Sequence, residues 1–196
     1  MIPLENYGIK CMSIGFLVSD KNPTVWRGLM VTSAIQQFLR QVAWGAMDYL
    51  IVDMPPGTGD TQLTITQNIP VDGVVIVSTS QEVALLDARK GTEMFRKVNV
   101  PVLGLVENMS SFVCPHCSKE TRIFGSNEKI REMSTEVGVD ILGTVPLHPD
   151  VVQKSDQGEP VVVSAPDNPV AAAFRKIAKE VLKRLPKSNP SGSKQD

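Results

Sequence analysis

No apolar run in this chain is long enough to cross a membrane. The longest, near Val74–Val77 and Val100–Val106, have the length of buried β-strands. A strong charge of either sign is also lacking. The net charge is −1, so no global field draws the chain to nucleic acid or to an anionic membrane. Cysteine is scarce: there are three, Cys11, Cys114 and Cys117. An odd, low count argues against a secreted disulfide scaffold and for a reducing compartment. The opening residues, MIPLENYGIK, hold neither an apolar signal core nor an Arg/Ser-rich presequence. No internal repeat is found.

What is present is ordinary for a globular protein. The 196 residues are 42% apolar and 21% charged, enough for one domain whose core needs neither disulfide nor metal to fold. We expect a single domain over residues 1–185 and a disordered tail over 186–196, because the Pro/Ser/Lys-rich run from Lys187 to Asp196 has nothing to bury.

Hydrophobic periodicity predicts an alternation of strands and helices. Residues 13–18 (SIGFLV) read as a short strand, and Met30–Val42 as a helix with Val31, Ile35, Phe38, Leu39 and Val42 on one face. Tyr49–Val52 is an apolar run ending at Asp53 and a glycine-rich turn, and Thr61–Asn68 follows as a helix. Strands are expected at Gly73–Ser78, Val100–Glu107 and Ile141–Val145, and helices at Glu82–Val98, Asn127–Val137 and Pro169–Leu185. Ala172, Phe174, Ile177, Ala178, Val181 and Leu182 form the apolar stripe of the last helix. Strands apolar on both faces, alternating with helices, predict an α/β fold: a doubly wound, mostly parallel sheet flanked by helices. Ligands in such sheets sit at the carboxyl ends of strands, where Asp53 and Asn108 are expected.

Four motifs carry candidate chemistry. In FVCPHC, Cys114 and Cys117 have the spacing of a chelating pair. Two thiolates are half of a four-ligand site, and a symmetric dimer would supply four, the number that a [4Fe–4S] cluster takes. The same spacing fits a redox dithiol, half of a zinc knuckle, or two incidental cysteines. The redox reading requires a depressed thiol pKa and a strand-to-helix setting, and the following residues, SKETRIFG, start a helix poorly. His116 reads as a polar loop residue, and Cys11 as a small buried apolar one. In the second motif, DYLIVDMPPGTGD, an apolar strand ending in Asp53 is how phosphate-binding folds hold Mg²⁺ beside a nucleotide. Gly57 would let backbone N–H groups approach a γ-phosphate. The plain alternative is a strand followed by a turn. Third, Asn108 can hydrogen-bond a base edge or cap its loop. Fourth, Arg27 in Trp26-Arg27-Gly28 can bind an anion or cap the coming helix.

With these residues in view, the chain resembles the Mrp/ApbC-type P-loop ATPases, relatives of MinD that carry iron–sulfur clusters. The resemblance rests on CMSIGFLV, VWRGLM, DYLIVDMPPGTGD, GVVIVSTSQEVALLDARKG, VPVLGLVENMSSFVCPHC, IFG and LGTVPLHPD, in order from Met12 to about Pro160. Leu29 after WRG, and TGDTQLTITQNIP after PPG, are most similar to the mitochondrial branch that serves respiratory complex I assembly. The resemblance implies that Cys114 and Cys117 bind a [4Fe–4S] cluster shared across a dimer, Asp53 engages Mg²⁺, Gly57 senses the γ-phosphate and Asn108 contacts the adenine of ATP. It implies a carrier that passes clusters to recipient apoproteins, as a homodimer or with a full-length paralogue. The mitochondrial matrix is the implied compartment, with the cytoplasm as the alternative, and neither nucleic-acid binding nor stable membrane insertion is expected.

One departure is large. The chain has no G-x-x-x-x-G-K-[ST] phosphate loop, and Lys10 and Lys21 sit in no such context. We therefore expect a P-loop-type domain lacking its N-terminal phosphate-loop strand, an exposed apolar strand edge, and no ATPase activity from this chain alone. It reads as a fragment of a longer protein, or as a short form acting through a full-length partner. Two rival functions are a thiol–disulfide oxidoreductase using the CPHC pair and a partition-type ATPase. The second would need a membrane-binding amphipathic element, and the C-terminal helix leads only into a tail with few apolar residues.

Overall fold

The computed structural model describes residues 1–16, 28–55, 57–114, 116–117 and 119–186. Lys21, Arg27 and the tail from Lys187 to Asp196 lie outside the described residues. The chain divides into two compact units, Met1–Pro70 and Val71–Asp196.

The first unit opens with a hairpin, β1 (Leu4–Asn6) paired antiparallel with β2 (Ile9–Cys11). Tyr7 and Gly8 both have positive φ, 51° and 74°, which is the geometry of the two-residue turn that matches strand twist. Asn-Gly or Asp-Gly normally marks such a turn, so a Tyr at its first position conceals it from sequence. Cys11 ends this hairpin and is exposed. The expectation of a buried cysteine fails because β1 and β2 are exposed at every position. Residues 14–16, expected to begin a strand, form a 3₁₀ turn. Helices α1 (Gly28–Gln41) and α2 (Asp60–Asn68) pack together, and each buries a small apolar or aliphatic side chain, Ala34 on α1 and Ile65 on α2.

Tyr49–Val52 is not a strand. Ile51 is 86% exposed and Tyr49 61%, and the run is irregular through Asp53. An apolar strand needs ladder partners. Among the described residues of this unit the strands are β1 and β2, which pair with each other.

The second unit holds the sheet. Strand β4 (Val102–Val113) is central, parallel to β3 (Val74–Ser78) on one side and to β6 (Ile141–Leu147) on the other. A short β5 (Glu120–Thr121) pairs antiparallel with the far end of β4. The sheet is covered on both faces because successive β4 residues point opposite ways. Leu105 joins Leu85 and Ala88 of α3 (Glu82–Lys97) and Ile130, Met133 and Val137 of α4 (Asn127–Val137). Val106 joins Leu142, Val145 and Val161, with Val170, Ile177 and Val181 of α7 (Pro169–Arg184). Two short helices, α5 (Pro149–Asp156) and α6 (Val161–Ser164), lead into α7.

Helix α7 buries only part of its predicted stripe, with Ile177 and Val181 packed on the sheet. Val170 and Ala171 are fully buried, whereas Phe174 and Leu182 are 40% and 49% exposed. The cause is Gly143 on β6. A Cβ there would lie 2.7 Å from Ile177 Cγ1, so this glycine admits Ile177 against the sheet and fixes the helix's rotation. Phe174 and Ala178 instead line an open apolar groove of about 570 Å³ with Val151, Pro160, Val161 and Val162.

Candidate functional site

The site is built on the far end of β4. Its parallel ladder with β3 ends at Glu107, opposite Ser78. The ladder with β6 is regular to Asn108 and resumes only at Phe112, opposite Leu147. Between these points Met109 takes φ 52°, uncommon for a side chain of its size. Its N–H is taken by Asn108 Oδ1 at 3.0 Å. Thus β4 was expected to stop at Glu107, yet it passes through a bulge and runs on to Val113. The extension exists because β5 supplies a partner: Phe112 pairs with Thr121 and Val113 with Glu120. Neither the bulge nor a two-residue strand leaves a periodic signal.

Cys114 and Cys117 occupy the tip of this hairpin. The Cys114 N–H donates to Lys119 O at 3.1 Å and closes the loop. Cys117 and His116 are exposed, and Cys114 is half-buried. The Cys114 thiol is held below its usual range. The main-chain N–H of His116 is the largest cause, followed by the N–H and the side chain of Cys117. Donors aimed at a sulfur favour the thiolate, the form that binds metal and attacks disulfides. Among the described residues no group of three or more His, Cys, Asp or Glu could hold a metal ion, so one chain offers two thiolates and no further ligand cluster. The setting is a β-hairpin tip rather than the strand-to-helix junction that a redox pair requires.

Beneath the hairpin lies a constellation that sequence reasoning missed. Glu107 is 1% exposed, accepts a 2.6 Å hydrogen bond from Ser80 Oγ, and faces Arg122 Nη1 at 3.6 Å. Its position in an otherwise apolar run was the available signal. Asn108, the expected base contact, spends its carbonyl oxygen on the neighbouring backbone, as a loop cap does.

In the other unit, Asp53 is exposed and in irregular backbone, not at the end of a strand. Gly57 has φ 99° with open space where a Cβ would lie, so only glycine adopts this conformation freely. Gln62, 3% exposed on α2, donates from Nε2 to Pro55 O and Gly57 O, each at 2.9 Å. Gln62 was also missed, and it is the side chain that holds the loop's shape.

Comparison with known proteins places these motifs. A family model described as ParA, NUBPL iron-transfer P-loop NTPase, matches residues 1–182. The chain is 60% identical over 190 residues to the iron–sulfur cluster transfer protein NUBPL of Mus musculus, covering 97% of this chain and 59% of that protein. It is 53% identical over 185 residues to an iron–sulfur protein required for NADH dehydrogenase, mitochondrial, of Arabidopsis thaliana, covering 94% and 59%. Among solved structures, a nucleotide-binding protein of Archaeoglobus fulgidus in complex with ADP superposes with a TM-score of 0.65 at 38% identity, covering 80% of this chain and 60% of that one. The chain therefore spans well under two thirds of these relatives' length. The resemblance drawn from its motifs is borne out, and so is the helix-flanked α/β fold. The chain belongs to the NUBPL iron-transfer family of ParA-type P-loop NTPases.

Proposed function

We propose that this chain is part of an iron–sulfur cluster carrier, in which Cys114 and Cys117 of two copies together hold one [4Fe–4S] cluster as cargo. The observation that carries the reading is the cysteine pair at the hairpin tip. Cys114 has amide donors on its sulfur, and no third ligand stands with the pair among the described residues. A half-site of this kind is completed by symmetry, and a cluster shared between exposed loops is easily handed on. In the whole protein, Asp53 would engage Mg²⁺, Gly57 the γ-phosphate and Asn108 the adenine of ATP, with nucleotide state biasing cluster release. The mouse relative's name, an iron–sulfur cluster transfer protein, supports transfer to recipient apoproteins, and the Arabidopsis relative's name, required for NADH dehydrogenase, mitochondrial, supports respiratory complex I as recipient and the mitochondrial matrix as location. No described helix is long and apolar enough to cross a membrane.

Anaerobic reconstitution with iron and sulfide tests this. About four irons per dimer are expected, with a brown chromophore lost in the Cys114→Ser, Cys117→Ser double variant. Iron retained by that variant would sink the reading.

A second reading, a thiol–disulfide oxidoreductase, is favoured by one observation, the lowered Cys114 thiol pKa. It predicts a colourless protein after reconstitution and a reversible Cys114–Cys117 disulfide whose formation tracks disulfide exchange with a substrate.

A further inference from the structure

The buried Glu107 has no part in the function above, and its surroundings give it one. The cysteine-bearing end of β4 is joined to the sheet through the Met109 bulge, past the end of the β3 ladder at Glu107 and within the gap from Asn108 to Phe112 in the β6 ladder. Residues 109–111 have no partner in the register of either parallel ladder. The return limb of the hairpin crosses the same gap with side chains. Arg122, next to β5, faces Glu107 Oε1 at 3.6 Å and donates to Ser110 O at 3.5 Å. Glu107 is anchored in turn by Ser80, two residues past the end of β3. Gly125 then packs on Ser80, where an added Cβ would come 3.2 Å from the carbonyl oxygen. A carboxylate 1% exposed in a sheet interior is expensive unless its partners stay in place. Arg122, with a side chain 36% exposed, is the partner contributed by the hairpin.

We propose that Arg122 and Glu107 are positioning residues for the cysteine loop. The Arg122–Glu107–Ser80 link braces the hairpin against the carboxyl edge of the sheet and sets how firmly Cys114 and Cys117 retain a cluster. The proposal rests on the carrier reading. Loosening the brace leaves both cysteines present but lets the loop fluctuate, so a cluster dissociates faster although its ligands are unchanged.

The test uses the full chain as wild type, Arg122→Ala, Arg122→Lys and Glu107→Gln, with two readouts. Hydrogen exchange on the metal-free protein follows the Cys114 amide and the segment 112–121. Bleaching of the reconstituted cluster by an iron chelator follows retention. In Arg122→Ala, we expect about tenfold faster exchange in the hairpin, with β3 and β6 unchanged, and about tenfold faster bleaching. Arg122→Lys restores part of both, and Glu107→Gln falls on the same side as Arg122→Ala. Hairpin exchange equal to wild type in Arg122→Ala overturns the brace. Faster exchange with unchanged bleaching overturns the positioning role. A wild-type chain that takes up no cluster overturns the carrier reading itself, and the exchange rates then decide separately whether Arg122 orders the hairpin.

Discussion

At the scale of single residues, the cysteine pair was legible and its support was not. C-x-x-C is a local signal, complete within four letters. Glu107, Ser80 and Arg122 are distant in sequence and meet only because β5 folds back onto β4 beyond the point where the β3 ladder ends. Gln62 is similar, a polar letter on a short helix whose meaning depends on where the preceding loop runs. Asp53 shows the converse, since its motif is plain in sequence while its backbone is irregular and exposed. The Cys114 thiol carries a testable pH dependence. Its pKa is lowered chiefly by main-chain N–H groups, first that of His116 and then that of Cys117. A depressed pKa means that the thiolate persists as pH falls below the range where a free thiol would protonate. The rate of alkylation of Cys114, followed by mass spectrometry across pH, should therefore rise with a midpoint below the usual value for a free thiol, about 8.5. Cys117→Ala removes only the side-chain contribution, the smallest of the three, and keeps both main-chain N–H donors, so most of the depression should remain. A midpoint at the ordinary thiol value in both proteins would show that the amides do not face the sulfur in solution.

At the scale of elements, the strands of the second unit were readable because a strand buried on both faces is apolar at every position. The runs at Val74, Val102 and Ile141 obey this and form the sheet. Tyr49–Val52 has the same composition and forms no strand, because apolar letters state a capacity for burial and not the presence of a ladder partner. Two glycines of the sheet differ in what faces them, Gly143 a side chain of α7 and Gly104 the chain at β6. A Cβ at Gly143 meets Ile177 Cγ1 at 2.7 Å, the branch of a side chain that can shift. A Cβ at Gly104 meets Leu142 Cγ at 2.4 Å and also the Asp140 carbonyl oxygen at 2.9 Å, which is backbone and cannot. Overpacking of this kind costs about 1–3 kcal/mol. We expect Gly143→Ala near the lower end and Gly104→Ala at or above the upper end in urea unfolding. Adding Ile177→Val should recover part of the first loss, while Leu142→Val should recover little of the second. Equal losses at the two positions would mean that the sheet relaxes as readily as the side chain.

At the scale of the whole molecule, the decisive quantity is stoichiometry. A single chain presents Cys114 and Cys117 at one hairpin tip, and no described group of three ligands exists to complete a site. If two chains share one cluster, loading is a second-order process in protein. Mass action then ties the loaded fraction to chain concentration, and the dimer is stabilised by the cargo it holds. Reconstitution over a hundredfold range of concentration, with iron counted per chain and mass measured by sedimentation, separates the possibilities. Iron per chain should rise toward about two as concentration rises, and the dimer should form in step with it. In the double cysteine variant neither iron nor iron-dependent dimer should appear. Iron bound at a constant ratio on a monomer would require ligands beyond the pair, and the shared-cluster geometry would fall. Iron-dependent dimers that dissociate on dilution, releasing cluster to a chelator at the same rate, would tie cargo release to separation of the two hairpins. That coupling is the property a carrier needs, because a recipient that parts the two chains then takes the cluster in the same step.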